Sequence, residues 1–166
     1  SEFLTLCNEH DVPIVALVDT PGFMVGPESE EESAVTRMSK LFKVGSKLSV
    51  PLVAIYLRKA YGLGAMAMVG GSFHEPIYSA SWPTGEFGGM GLDGAVQLGF
   101  KRELQAVEDS QEREILFDQL VASAYEKGKA IEAAAHLEID AVIDPADTRK
   151  IILKAYNNYK KGNNTQ

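Results

Sequence analysis

Two short segments of the chain are almost unbrokenly apolar. Residues 12–18 (VPIVALV) and 51–57 (PLVAIYL) are runs of strand length. Such runs predict strands buried on both faces, as in a parallel sheet covered by helices. Between them Ala34, Met38, Leu41, Phe42, Gly45 and Leu48 recur at helical spacing and predict a helix ending near Leu48. Ser29, with Glu32 three residues on, reads as its capping box. The cluster Glu28, Glu30, Glu31 and Glu32 suits the positive end of the helix dipole. The first strand stops at Asp19-Thr20-Pro21-Gly22, which is strong turn chemistry. Strand, turn, helix and strand, with no hairpin between them, predict a right-handed β-α-β crossover.

The flanks continue the alternation. Residues 1–10 read as the end of a helix, with Phe3, Leu4 and Leu6 apolar. A short strand is predicted at 77–81. A polar-faced helix follows at 111–127, with Ile115, Leu116, Leu120 and Val121 on its apolar side. An alanine-rich helix at 129–135 and a last short strand at 139–143 come next. Pro145 opens a final helix that turns Ile151, Ile152, Ala155 and Tyr159 inward. The tail after Lys160 is polar and expected to fray.

Composition narrows the classes. A length of 166 residues favours one domain. With 45% hydrophobic and 23% charged residues the chain can build a core and is not a disordered segment. No apolar stretch reaches the roughly 18 to 20 residues that span a bilayer. No basic segment leads into an apolar run as in a signal peptide, so a cytoplasmic location is expected. Cys7 is the one cysteine, which excludes an internal disulfide and a multi-cysteine zinc site. His10, His74 and His136 are scattered, and no metal is expected. A net charge of −7 disfavours a nucleic-acid surface, which needs clustered Lys and Arg.

Three motifs attract a functional interpretation and fall short. Asp19-Thr20-Pro21-Gly22 matches the D-x-x-G element of GTPases. However, the chain has no G-x-x-x-x-G-K-[ST] loop, and Leu57-Arg58-Lys59-Ala60 stands where a guanine-reading Asn-Lys-x-Asp belongs. A tight turn accounts for it. Gly62-Leu63-Gly64-Ala65-Met66-Ala67 fits the dinucleotide pattern G-x-G-x-x-A. Against this, Arg58 to Tyr61 separate the expected strand from the glycines, and the next strand runs into Ser81-Trp82-Pro83 without an acidic residue. Gly70-Gly71-Ser72-Phe73-His74 lacks the closing glycine of a nucleophile elbow and follows a helix, so a surface turn is expected.

Nine of the fifteen glycines lie between Gly62 and Gly94. The apolar stretch after Gly64 favours a helix, which places Gly62, Leu63 and Gly64 at or just before a helix N-terminus. Free N–H groups there point outward along the dipole. Small residues let a ligand approach the backbone. Together they suit an oxyanion site, with donors aimed at an oxygen that gains negative charge. The same small residues would also serve tight helix packing, and the segment alone leaves both readings open. The rest of the chain offers no nucleophile, acid–base pair or metal cluster. A reactive group would then come from a cofactor or another chain. An oxyanion site without a nucleophile suits enolate chemistry on a thioester or a ureido carbonyl.

Several motifs now stand in order: Val18-Asp19-Thr20-Pro21-Gly22-Phe23, Arg58-Lys59-Ala60-Tyr61-Gly62, Trp82-Pro83-Thr84, Met90-Gly91 with Gly94-Ala95, and Ile139-Asp140-Ala141-Val142-Ile143 with Pro145, Asp147 and Thr148-Arg149. Over roughly residues 3–160 the chain resembles the carboxyltransferase (β) subunit of biotin-dependent acyl-CoA carboxylases, propionyl-CoA carboxylase among them. The resemblance implies an α/β fold of the ClpP/crotonase type, a superhelix of β-β-α units. Residues 1–160 would be a C-terminal carboxyltransferase domain without its first strands, and 161–166 a polar tail. It implies transfer of a carboxyl group from carboxybiotin, held on a partner's carrier domain, to the α-carbon of a short acyl-CoA. Biotin would be the cofactor and acyl-CoA the substrate.

The resemblance also implies roles for individual residues. Backbone donors fall on Leu63 and Gly64, with Gly62 adjacent, and hold the biotin ureido oxygen as the carboxyl group leaves. Many relatives read Tyr-Gly-Gly-Ala-Tyr where this chain has Tyr61-Gly62-Leu63-Gly64-Ala65, so the Leu63 side chain must point away. Pro21, Gly22, Phe23, Tyr61 and Met66 fall on substrate-binding positions, with Met66 at the position associated with acyl-group size. The implied partners are a biotin carboxylase/biotin carboxyl carrier subunit and further copies of the chain, since the family is typically hexameric. The segment alone is expected to be inactive. Two alternatives share or abandon this chemistry: the carboxyltransferase subunit of a sodium-pumping decarboxylase running the reverse transfer, and a non-catalytic assembly module.

Overall fold

A computed structural model describes residues 1–24, 26–27 and 34–163. Helix α1 (Glu2–Glu9) leads into strand β1 (Ile14–Thr20). Helix α2 (Ala34–Gly45) crosses to strand β2 (Leu52–Tyr61), which pairs parallel with β1 from Ile14↔Leu52. The expected β-α-β unit is therefore present. The proposed capping box and the acidic cluster of residues 28–32 lie outside the described residues. Helix α2 ends at Gly45, earlier than Leu48. There the chain tightens into i→i+3 bonds, Lys47 N–H to the Val44 carbonyl and Leu48 N–H to that of Gly45.

Strand β2 is the centre of the sheet. On its far side it pairs parallel first with β3 (Tyr78–Ser81) and then, nearer its end, with β4 (Glu86–Gly88). Strand β5 (Ala141–Val142) pairs with β3, which gives the order β1-β2-β3-β5 with β4 beside β2. Asp140 locks the last pair. Its Oδ2 accepts the Ser79 N–H at 2.7 Å and the Ser79 hydroxyl at 3.1 Å.

Two helical layers build the core. On one face Ile14, Ala16, Val18, Ala54 and Tyr56 pack with Leu4 and Cys7 of α1, Leu41 and Val44 of α2, and Ala65 of the helix after β2. On the other, Val53, Ile55 and Ala80 meet Ile152, Ala155 and Tyr156 of the last helix, α8. That helix (Thr148–Asn163) starts from a 3-10 turn (Pro145–Asp147) whose Asp144 side chain accepts the Ala146 N–H. The Trp82 indole N–H donates to Thr148 Oγ1 at 2.9 Å and ties the helix to the sheet.

Strand β1 departs from expectation. It is buried on one face only, with Val15 40% and Leu17 52% exposed. The cause is the course of α8, which covers β2 and β3. At the start of β1 its Tyr156 hydroxyl donates to the Ile14 carbonyl. Between β4 and the next predicted helix the sequence pattern missed α4 (Leu92–Gly99) and α5 (Lys101–Ala106). Their glycines and short length hide the periodicity. Helix α6 (Ser110–Lys127) forms where expected, N-capped by Asp109, but none of its residues is buried and Ile115 is 58% exposed. Helix α7 (Ala130–Ala135) follows. The final helix is described through Asn163, and residues 164–166 of the expected polar tail lie outside the described set. No helix among the described residues is long and apolar enough to cross a membrane.

Candidate active site

The expected strand ended at Leu57, yet β2 runs on through Arg58-Lys59-Ala60-Tyr61 and passes directly into helix α3 (Gly62–Met68). This corrects one argument made from sequence, because the glycines do follow the strand without an intervening loop. Strand β3 ends at Ser81 before Trp82, with no acidic residue where a ribose would be held, so the dinucleotide pattern is incomplete. The 70–74 segment is a turn, in which the Ser72 hydroxyl accepts the His74 N–H at 3.3 Å.

Two constraints explain the glycines at the start of α3. Gly62 adopts φ +56°, and a Cβ there would lie 2.6 Å from the Gly89 carbonyl oxygen. Gly64 packs directly on the Asp19-Thr20-Pro21-Gly22 turn, where a Cβ would lie 2.8 Å from Gly22 Cα. The tight-packing reading therefore holds for both positions. It also joins two motifs that are far apart in sequence, since the turn after β1 is seated on the first turn of α3. Phe23 continues from that turn and meets Phe42 of α2 edge to face at 6.4 Å.

The N-terminus of α3 is not closed by this packing. Its N-cap is Tyr61, and no side chain caps it. The first N–H groups of a helix have no acceptor within the helix. Among the described residues no side chain and no turn carbonyl accepts the N–H of Leu63 or Gly64. The Leu63 side chain points outward and is 61% exposed, which leaves its N–H unobstructed by its own bulk.

Tyr61 itself is buried. Its hydroxyl donates to Glu86 Oε2 at 2.7 Å, and burial, followed by the neighbouring Glu86 carboxylate, pushes its phenol well above the ordinary range. Glu86 escaped the sequence reading. The signal available was that it is the one charged residue within 76–92. Of the other predicted substrate-binding residues, Pro21 is exposed and Gly22, Phe23 and Met66 are half-buried.

A cavity of about 350 Å³ opens beside the start of α3. Gly62 and Met66, one turn apart, form one wall. Phe73, Phe87 and Gly88 form the floor, and His136 of the α7 C-terminus stands at the rim. Leu63 and Gly64 lie outside its lining. Beneath it Tyr56 packs against Phe73 and Phe87, with ring centroids 5.5 and 5.0 Å away. The Tyr56 hydroxyl is fully buried and has no hydrogen-bond partner among the described residues. Burial, then the Glu138 and Asp140 carboxylates, raise its phenol far above the ordinary range. Tyr56→Phe is therefore expected to stabilise the fold by about 1 kcal/mol. Urea unfolding checks this, and a loss of stability would show that the hydroxyl is paired. Among the described residues no three His, Cys, Asp or Glu side chains gather as metal ligands would.

The architecture agrees with what comparison finds. A family model described as the carboxyl transferase domain matches residues 1–166. The chain belongs to the carboxyl transferase family. Among its relatives, the methylmalonyl-CoA carboxyltransferase 12S subunit of Propionibacterium freudenreichii subsp. shermanii is 33% identical over 160 residues, 96% of this chain. The biotin-dependent long chain acyl-coenzyme A carboxylase beta4 subunit of Mycobacterium tuberculosis is 34% identical over 164 residues. The chain spans 30% and 29% of those two proteins.

Among solved structures, a single-chain, multi-domain long-chain acyl-CoA carboxylase is 52% identical with a TM-score of 0.81, over 93% of this chain and 15% of that one. The transcarboxylase 12S structure with methylmalonyl-coenzyme A bound gives a TM-score of 0.85 at 32% identity, over 96% of this chain and 30% of that one. These likenesses establish the crotonase-type fold of carboxyltransferases for this carboxyl transferase segment.

Proposed function

We propose that this carboxyl transferase segment supplies the biotin-facing half of a site that moves a carboxyl group between carboxybiotin and the α-carbon of an acyl-CoA. The observation that carries this is the uncapped start of α3, seated on Gly22 and open beside the cavity, in a chain of this family. The donor set fits biotin: two adjacent N–H groups suit a carbonyl oxygen. When bound, carboxybiotin supplies the carboxyl group that is transferred. The N–H groups of Leu63 and Gly64 hold an oxygen that gains negative charge, and as fixed dipoles they need no reorganisation to do so. Gly62 lets the strand turn into the helix at that point. Gly22 and Phe23 back the first turn of α3 at Gly64, with Pro21 preceding them in the same turn.

The acyl group is proposed to be long. Met66, Phe73, Phe87 and Ala133 give the cavity an apolar wall, while Lys127, Glu132 and Glu138 also line it. The structure of a long-chain carboxylase is 52% identical to this chain, whereas the 12S transcarboxylase is 32% identical. The sequence implies a short acyl-CoA, and propionyl-CoA carboxylase subunits stand among the relatives, so the two chain lengths are the alternatives to be tested. Partners follow the same line: a biotinylated carrier with its biotin carboxylase, and further copies of the chain. The 12S relative assembles as a hexamer. Here β1 leaves Val15 and Leu17 open at a sheet edge, a surface that assembly would cover.

Carboxylation assays on the assembled enzyme test the proposal. Palmitoyl-CoA is expected to be used in preference to propionyl-CoA. Met66→Trp should narrow the wall and lower kcat/KM for palmitoyl-CoA about tenfold more than for propionyl-CoA. Turnover of propionyl-CoA alone would overturn the long-chain assignment. Absence of transfer to any acyl-CoA would overturn the function.

A further inference from the structure

Two carboxylates grip the end of β2 from opposite sides, just before it becomes α3. On the β1 side the sheet register breaks. Val18 faces Tyr56, but Thr20 faces Ala60, so Asp19 alone stands opposite the three residues Leu57, Arg58 and Lys59. A bulge of this kind leaves main-chain groups without ladder partners and re-aims the strand. Asp19 Oδ1 fills the gap by accepting the Lys59 N–H at 3.1 Å. The same carboxylate meets Arg58, with Nε 3.4 Å from Oδ1 and a terminal guanidinium nitrogen 3.3 Å from Oδ2. Both side chains are well exposed, so this ion pair adds little by itself. The bond to the main chain is the one that fixes the bulge.

On the other side Glu86, carried by β4, accepts the Tyr61 hydroxyl at 2.7 Å. Tyr61 is 2% exposed and is the N-cap of α3. Its ring and main chain are therefore held from β4 while Lys59 is held from β1. Only Ala60 separates Lys59 from Tyr61, and Gly62 alone separates Tyr61 from Leu63, which leaves little slack between the grips and the helix start.

We infer that Asp19 and Glu86 are positioning residues that fix the first turn of α3, Asp19 through the Lys59 amide and Glu86 through the Tyr61 hydroxyl. Neither carboxylate touches the cavity or the donors, so their influence on transfer passes through the backbone. The inference rests on the proposed oxyanion role of Leu63 and Gly64 for its effect on rate, and on geometry alone for its effect on backbone mobility.

The test separates the two. Asp19→Ala and Tyr61→Phe each delete one grip, whereas Asp19→Asn keeps an oxygen acceptor for Lys59. Amide hydrogen exchange at Met66 and Ala67, whose helical N–H groups bond back to the first turn of α3 at Gly62 and Leu63, and steady-state carboxyl transfer are measured on the assembled enzyme, with thermal unfolding as a check that each variant folds. Asp19→Ala and Tyr61→Phe are expected to speed exchange at those two amides and to lower kcat by about 10- to 100-fold with KM for acyl-CoA nearly unchanged. Asp19→Asn is expected to restore both readouts. Glu86→Ala combined with Tyr61→Phe should cost no more than Tyr61→Phe alone, because the Tyr61–Glu86 bond is already gone in the latter. Unchanged exchange in the deletions would overturn the positioning role. Faster exchange with unchanged kcat would leave the grip in place and overturn the oxyanion function on which the rate effect rests.

Discussion

Leu63→Pro is expected to lower carboxyl transfer about 100- to 1,000-fold while leaving the fold intact. The substitution deletes one N–H, and little else changes. The position is the second residue of α3, where proline is tolerated because the first-turn amides have no intrahelical acceptor to lose. Gly62 before it has no Cβ to meet the proline ring. The leucine side chain is 61% exposed, so little packing is lost. Leu63→Ala keeps the N–H and removes the same side chain, and is expected to turn over near the parent rate. Comparing kcat for the two variants isolates the amide. Equal activity of Leu63→Pro and Leu63→Ala would remove this donor from the mechanism.

The second large effect is expected at Gly64. Adding a single methyl group in Gly64→Ala places a Cβ 2.8 Å from Gly22 Cα, 2.9 Å from its carbonyl carbon and 3.2 Å from the Phe23 nitrogen. All three are backbone atoms, so no side chain can rotate away. The turn after β1 must lift from α3. A cost of about 1–3 kcal/mol in stability is expected, as for other overpacked contacts, together with loss of transfer. Urea unfolding and turnover measured on the same preparation check it. The contact also decides which variant can report on the donors. Gly64→Pro would remove an N–H and collide with Gly22 at once, so its inactivity would not separate the two causes, whereas Leu63→Pro does.

The strands β1 and β2 and helices α1, α2 and α6 were legible because their apolar residues follow a period or an unbroken run. The end of β2 was not. Arg58 and Lys59 interrupt the apolar run and read as a strand exit. They stay in the strand because Asp19 satisfies the bulge between them and β1. That bond spans forty positions in sequence and has no local signature. The pairing of Gly64 with Gly22 is hidden for the same reason: each glycine is visible alone, but their contact depends on the parallel register of β1 on β2. Burial on both faces of β1 was expected from VPIVALV and is met on one face only, because a run of apolar residues records what a strand prefers to touch and α8 does not extend over Val15 and Leu17. The candidate donors were legible as a glycine-rich helix start. The cavity beside them was not, since Phe73, Phe87 and His136 come from three separate segments.

The proposed transfer depends on where the Leu63 and Gly64 amides point when the site is filled. A crystal structure of the assembled enzyme with biotin measures this directly. The ureido oxygen is expected within about 2.7–3.2 Å of both nitrogens, at hydrogen-bond geometry. A biotin whose ureido oxygen is held elsewhere, with those two amides bonded to protein carbonyls, would contradict it.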